Sequence, residues 1–189
     1  LPIAIGAAGA LLRYCEDNLC GSLPHLQGLA VEHRDDFVVL DPATRRNLEI
    51  TDSLAGTKEF TLHKVLDTTV TAMGARLLSR WLSTPIRDHA TLGFRLQAVE
   101  TLVNHLVLPQ LRDLLRAIAD IERISTRIAL RSAKPRDLLQ LRASLAMLPA
   151  LRKILTEQSS PRLQALNDGI DEHREVLALL EAAIIDEPP

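Results

Sequence analysis

Aromatic residues are scarce in this chain: three Phe, one Tyr and one Trp among 189 residues. Sheet sandwiches and barrels lean on aromatic and β-branched side chains. Leu, Ala and Arg are abundant here instead, so the shortage favours helix over sheet. An excess of positive charge is missing too. Lys and Arg number 22 against 24 Asp and Glu, a formal net charge of −2. That argues against a dedicated basic nucleic-acid-binding domain but leaves room for a basic patch on one face. Cysteine is limited to Cys15 and Cys20. Five apart on one expected helix, they fall on different faces, so no bridge between them is expected and a reduced, cytosolic setting follows. No apolar run reaches membrane-spanning length without a charge. The opening LPIAIGAAGALL looks like a signal-peptide core, but it has no basic leader and Arg13 follows at once. A chain that opens at Leu1 and stops at Pro188-Pro189 reads as a piece of something longer.

Several chemistries lack their motif. There is no G-x-x-x-x-G-K-[ST] loop, so ATP binding is not expected of this piece. Gly6-Ala7-Ala8-Gly9 precedes a helix but has neither the third glycine nor the βαβ unit of a dinucleotide site, and small residues packing a helix start is the better reading. The histidines (His25, His33, His63, His89, His105 and His173) show no metal-ligand spacing with a Cys or carboxylate partner. No catalytic residue, cofactor site or metal site is expected within this chain.

What is present is leucine at helical spacing. Hydrophobic residues make up 47% of the chain, ample for a core. Ala7 to Cys20 reads as an amphipathic helix ended by Gly21. Residues 28–40 are the one strand-like region: Leu29 and Val31 alternate with polar neighbours, Arg34-Asp35-Asp36 reads as a turn, and Phe37 to Leu40 is β-prone, which predicts a small β-hairpin. Asp41-Pro42 opens a short helix carrying Arg45 and Arg46. Thr71 caps a helix over 72–82 in which Met73, Leu77, Leu78 and Trp81 share a face, and Thr84-Pro85 stops it.

From Asp88 onward every segment reads helical. The helix over 91–104 should bury Leu92, Leu96, Val99, Leu102 and Val103. Asp120 to Arg131 sets Ile121, Ile124 and Ile128 on one face and Arg123, Arg127 and Arg131 on another. Pro135 opens a long helix whose apolar row is Leu138, Leu141, Leu145, Leu148, Leu151 and Leu155, with a kink or break expected at Pro149. Over 162–185 the apolar steps Leu163, Leu166, Ile170, His173, Leu177, Leu180 and Ile184 predict one continuous heptad-seamed helix, roughly 35 Å long.

Two charged clusters invite a functional reading. Asp120 and Glu122 with Arg123 form either an ion-pair knot or a charge cluster that suits a helix start. Arg112, Arg116, Arg123, Arg127, Arg131, Lys134 and Arg136 could track a phosphate backbone, but acidic neighbours dilute them and no aromatic platforms interleave.

Three blocks carry a resemblance. Asp41, Thr44, Asn47, Leu48, Glu49 and Ile50 form the first. Thr71, Met73, Gly74, Arg76, Leu77, Trp81, Leu82 and Pro85 form the second. Asp120 to Arg123, then Ala133 to Leu138, form the third. In this order they resemble the core domain of the MutS family of DNA mismatch-repair proteins. The resemblance implies a mainly α, multi-helix bundle-like scaffold. Residues 1–24 would be the end of the connector and the start of a core helix, 25–157 the helical core, and 158–189 the start of a long lever helix. It implies a parent protein that recognises mispaired double-stranded DNA, hydrolyses ATP with Mg, forms a homodimer, meets a MutL-type partner and works in the cytoplasm on the nucleoid. The Phe-x-Glu wedge of the family is absent, since Phe37, Phe60 and Phe94 have no Glu two residues on. This piece would therefore relay conformational change between the other domains. The signature residues expected to matter are Asp41, Asn47, Glu49, Gly74, Arg76, Trp81, Asp120, Glu122 and Arg123, with Arg123, Arg127 and Arg131 as candidate contacts to DNA or to another domain. The competing reading makes the chain a direct nucleic-acid-binding helical domain using its arginine-rich face.

Overall fold

The structure, a computed structural model, describes residues 2–19, 28, 30, 31 and 33–185. It divides into two units, Leu1–Val31 and Glu32–Pro189. The first contains α1 (Pro2–Leu19), which begins before the expected Ala7 because Pro2 suits a first helical turn. Its apolar side chains Ile3, Ile5, Leu11, Leu12 and Tyr14 are exposed, and Cys15 is a free, half-buried thiol. Cys20 and Gly21 lie outside the described residues.

The second unit is helical. After a 3-10 turn at Arg34–Asp36 come α2 (Pro42–Asn47), α3 (Leu62–Leu66), α4 (Ala72–Ser83), α5 (His89–Asn104) and α6 (Leu108–Arg116). They are followed by α7 (Ile121–Ala129), α8 (Pro135–Thr156), α9 (Pro161–Asp168) and α10 (Arg174–Ala183). Short polar side chains start five of them. Asp41 accepts from Thr44 N at 2.7 Å, Thr61 from Lys64 N at 3.2 Å, Thr71 from Gly74 N at 3.0 Å, Asp88 from Ala90 N at 2.9 Å and Asp120 from Arg123 N at 3.2 Å. Each satisfies a backbone donor that the helix itself cannot.

The core is built on α8. Leu141, Leu145, Leu148, Leu151 and Leu155 are all buried, and α6, α7, α9 and α10 pack against that helix. They bring Leu111, Ile124, Leu163 and Leu180 into one cluster, to which Ala98 of α5 and Ile118 of the α6–α7 link also belong. Ser144 is the polar member, fully buried. Its Oγ accepts from Ala119 N at 2.9 Å and donates to Gln140 O at 2.7 Å, which ties the α6–α7 link to the middle of α8.

Four expectations change. The β-hairpin over residues 28–40 is not formed among the described residues. The run that starts at Phe37 makes a single antiparallel bridge to Ile86 instead, with Val38 N donating to Pro85 O at 2.7 Å and Arg87 N to Asp36 O at 2.9 Å. The stop after α4 thus supplies the extended partner that a preceding strand was expected to give. Of the kink or break expected at Pro149, the break does not form: α8 runs unbroken from Pro135 to Thr156. Buried leucines on both sides of the proline hold the helix through the lost hydrogen bond.

The single helix expected over 162–185 is two, α9 and α10, separated by Gly169 to His173. The apolar row continues across the gap, but the backbone does not: His173 is left-handed, with φ 49° and ψ 44°, and its backbone N donates to Asp171 Oδ1 at 3.2 Å. A glycine and short acidic side chains that bond locally compete with helix there. Finally, α5 buries Ala98, and its expected apolar row is only partly inward: Leu92 and Leu102 are half-buried, Leu102 against the core, while Leu96, Val99 and Val103 are exposed.

Gly74 gives a sharp test of the α4 start. A Cβ there would lie 2.9 Å from Thr71 Oγ1, the capping atom, and 3.5 Å from Thr69. Thr71→Ala should cost about 1 kcal/mol. Gly74→Ala should be neutral or destabilising in the native background, because it pushes the cap away. In a Thr71→Ala background it should stabilise by about 0.5–1 kcal/mol, the ordinary helical preference of Ala over Gly. A urea-denaturation double-mutant cycle measures both.

Candidate functional site

The signature residues fall into three neighbourhoods of the second unit. The first surrounds Arg76 on α4. Its guanidinium grips Asp120 in bidentate fashion, Nη1 to Oδ2 at 2.8 Å and Nη2 to Oδ1 at 2.7 Å. It also donates to Glu122 Oε2 from Nε at 3.1 Å and from Nη2 at 2.5 Å. One planar fork therefore holds two carboxylates of the α7 start, a geometry that a lysine could not reproduce. Arg123 borders the same shallow cleft but is not the partner that its adjacency suggests. Asp120 simultaneously caps α7 through Arg123 N, so one carboxylate serves cap and cross-link. The Arg76 side chain is 49% exposed and that of Glu122 67%. Solvent screens such pairs, so their contribution is mainly to the relative placement of α4 and α7 rather than to bulk stability.

The second neighbourhood is the turn after α2. Asp41 caps the helix, Asn47 ends it exposed, and Glu49 sits left-handed at φ 47°. Glu49 Oε1 accepts from Leu54 N at 2.6 Å, and its carbonyl accepts from Leu62 N at 2.9 Å. The strained residue thus joins the α2 turn to the loop that follows and to the start of α3, with Ile50 buried beneath at 4% exposure. The third neighbourhood is Trp81, whose ring carries the Arg95 guanidinium 3.8 Å from its centroid, a cation–π contact between α4 and α5. Arg95 was not singled out by sequence. The two residues lie on consecutive helices separated by a proline turn, and no spacing rule connects them.

The arginine row does not act as a row. Arg127 Nη1 donates to Asp137 Oδ1 at 2.5 Å, and Asp137 Oδ2 accepts from Lys134 N at 2.9 Å, so Asp137 closes the start of α8 and neutralises Arg127. Arg131 lies beyond the end of α7, left-handed at φ 54°. Arg123 and Arg131 are exposed, but they are not held on one helical face with a free Arg127 between them. Asp137 lies within the third block, where sequence reasoning assigns it no role of its own. Its signal was its place three residues after Lys134, just inside Pro135, where an acidic side chain can reach back to the first backbone donor.

The carboxylates at these helix starts sit below their ordinary pKa. Asp41 is lowered first by the Thr44 backbone N–H, Asp88 by the Thr91 hydroxyl, Asp120 by Arg76 and Asp137 by the Lys134 backbone N–H. Arg76 is correspondingly raised, Asp120 being the largest cause. A group whose folded pKa is depressed adds stability that is present above its unfolded value and is lost as pH falls through the folded value. The fold should therefore hold its stability down to the ordinary carboxylate range near pH 4 and weaken below it. Asp120→Asn and Asp137→Asn should each flatten that acid limb. Urea midpoints measured at pH 7, 4 and 3 check it; parallel limbs for wild type and both variants would remove these carboxylates from the account.

Among the described residues no group of three or more His, Cys, Asp or Glu is placed to hold a metal ion, and no helix is long and apolar enough to cross a membrane. What the geometry does provide is cross-linking. The signature side chains pin helix to helix and turn to loop, with the third block tied to the second through Arg76. A family model described as MutS domain III matches residues 43–189, a span that covers all three neighbourhoods except the capping Asp41. The chain belongs to the MutS family of DNA mismatch-repair proteins, and residues 43–189 are its domain III.

Proposed function

We propose that this chain is the core scaffold of a mismatch-repair ATPase, relaying conformational change between mismatch-binding, clamp and ATPase domains of its parent. It carries neither the mismatch wedge nor a nucleotide site of its own. The parent's substrate is mispaired double-stranded DNA, bound as a homodimer in the cytoplasm, with ATP and Mg used elsewhere in that protein and a MutL-type protein as its repair partner. No residue set here fits nucleotide phosphates, since the glycine-rich loop is missing from the sequence, and no step is assigned to ATP in this chain.

The observation that carries the reading is the Arg76 fork on Asp120 and Glu122. It joins residues 44 and 46 apart in sequence and makes the displacement of α4 a displacement of α7. The leucine-lined α8 then carries that motion as a body, because a close-packed core resists continuous deformation. Direct nucleic-acid binding through Arg123, Arg127 and Arg131 is the weaker reading, because Asp137 already occupies Arg127.

The test has two arms. In a gel-shift titration, this chain should show no preference for a mispaired over a matched duplex. In the intact parent, Arg76→Ala should reduce the stimulation of ATP hydrolysis by a mismatch at least about 5-fold, the lower end of ordinary allosteric coupling. Basal hydrolysis and mismatch affinity should stay near wild type. A mismatch preference by this chain, or undiminished stimulation in the variant, would overturn the relay assignment.

A further inference from the structure

Helix α5 packs into the fold through one side and leaves a second apolar side to solvent. Ala98 is buried, and Leu102 is half-buried against the core. Leu96 is 71% exposed, Val99 58% and Val103 54%. With the half-buried Leu92 these residues step by four, three and four, the alternation of the a and d positions of a coiled coil. On a helix of about 3.6 residues per turn the four fall within roughly 60° of one another, and the Ala98–Leu102 side lies roughly 110° away. A surface helix needs only the stripe that faces its own core. A second, exposed stripe marks a contact with another molecule.

The charges beside the stripe decide what covers it. Arg95 and Glu100 are the only Asp, Glu, Lys or Arg residues of α5. With Leu96 and Val103 at a, and Leu92 and Val99 at d, Arg95 takes a g position and Glu100 the e position that follows. In a parallel helix pair, a g side chain of one helix meets the e side chain of the other five residues on. Arg95 to Glu100 is that interval, with opposite charges. The complement of this helix is therefore a second α5, and a two-fold axis satisfies both pairs at once. An antiparallel pair would set g beside g and leave Arg95 with no acid opposite.

Arg95 is already held for this role. Its guanidinium lies over the Trp81 ring, 3.8 Å from the centroid, and its Nε is buried with no hydrogen-bond partner. A stacked guanidinium keeps its edge nitrogens for a carboxylate, and a side chain fixed beforehand loses less freedom on pairing. Glu100 is exposed. The core side of α5 adjoins the Arg95 flank of the stripe, so the two-fold places the two protein bodies on opposite sides of the helix pair.

We propose that α5 is the contact helix of a parallel, two-fold dimer of this chain, with Leu92, Leu96, Val99 and Val103 set against the same residues of a second copy and Arg95 paired with Glu100 of that copy. The stripe is shorter than two heptads, so the contact is reversible and belongs to the small class of specific interfaces. It is separate from the Arg76 cross-link. It depends neither on the relay reading nor on the dimer expected of the parent.

Sedimentation velocity on this chain between about 10 μM and 1 mM should show a monomer–dimer equilibrium with a Kd below about 1 mM. Val99→Glu should abolish the dimer, since it sets like charges against each other within the stripe. Glu100→Arg should weaken it at least about 10-fold, because it faces Arg95 with a second arginine. Both positions are exposed, so melts recorded at a concentration that keeps the chain monomeric should match wild type and verify the fold. Orientation is read with Val103→Cys after Cys15 and Cys20 are replaced by Ser. In a parallel pair residue 103 meets itself and oxidation gives a covalent dimer. In an antiparallel pair it faces residue 92, roughly 16 Å along the helix from its own counterpart, and no bridge can form. The proposal is overturned if the chain stays monomeric to about 1 mM. It is equally overturned if the dimer survives Val99→Glu, if Glu100→Arg leaves its Kd unchanged, or if Val103→Cys fails to cross-link a dimer that forms.

Discussion

Leu145→Ala should remove about 3–5 kcal/mol of folding stability, the upper part of the range for a buried leucine cut back to alanine. Leu145 is 4% exposed and stands near the middle of α8, the helix on which α6, α7, α9 and α10 all pack. The loss has two parts: the transfer free energy of the deleted methyl groups, and the cavity that neighbouring elements cannot fill. Relaxation is hard at this position. Leu141 and Leu148 flank it along the same face, and Ser144 beside it is fixed by two hydrogen bonds. Domains of this size have about 5–15 kcal/mol in total, so one substitution should consume a large share. Urea denaturation followed by helical circular dichroism measures the effect. Leu179→Ala is the control: Leu179 is 66% exposed on α10, and its truncation should stay within about 0.5 kcal/mol. Equal losses for the two would mean that α8 is not the centre of the core.

The features that decide these outcomes differ in how far sequence could show them. The α8 row was legible because the leucines repeat at three and four, and the helix is long enough for its period to stand out. The caps at Asp41 and Thr71 were legible for a local reason: a short polar side chain before an apolar run has few other uses there. Interruptions were harder. The row Leu163, Leu166, Ile170, His173 and Leu177 repeats at helical spacing, yet the backbone turns left-handed at His173. Periodicity reports which residues face inward and is silent about whether the chain between them stays helical. The β-prone run at Phe37 was correctly read as extended, but its partner was sought before it. A strand preference names no partner, and the segment stopped by Pro85 supplied one. The site suffered most from distance. Arg76, Asp120 and Glu122 were each visible as charged residues of their blocks, while the bidentate contact among them spans 44 residues, and pairing across that interval is decided by packing that no local rule encodes. Arg127 looked like a member of a basic stripe until Asp137 was placed beside it.

Ser144→Val carries the second large effect, and it separates polar from apolar contributions at the same spot. Ser144 is completely buried, and its hydroxyl answers two backbone groups at once. It accepts from Ala119 N at 2.9 Å and donates to Gln140 O at 2.7 Å. The Gln140 carbonyl is a helix acceptor with its own backbone role, so losing the hydroxyl donor costs it little. Ala119 N belongs to the link between α6 and α7 and has no other hydrogen-bond partner among the described residues: the hydroxyl is what lets that link lie against α8. Removing it leaves a buried donor unsatisfied, a cost of about 1–3 kcal/mol. Valine adds bulk at a fully buried position, for a further cost of about 1–3 kcal/mol. Ser144→Ala isolates the first contribution, so Ser144→Val should be the worse of the two by that second amount. Both should also speed hydrogen exchange at Ala119, since the amide loses its acceptor. Because Asp120, the Arg76 partner, directly follows Ala119, the same variants should loosen the α4–α7 cross-link, and a Ser144→Ala, Arg76→Ala double-mutant cycle should be non-additive. Additive losses would mean that the buried hydroxyl and the exposed fork support the α7 start independently, and that the placement of α7 does not depend on the core beneath it.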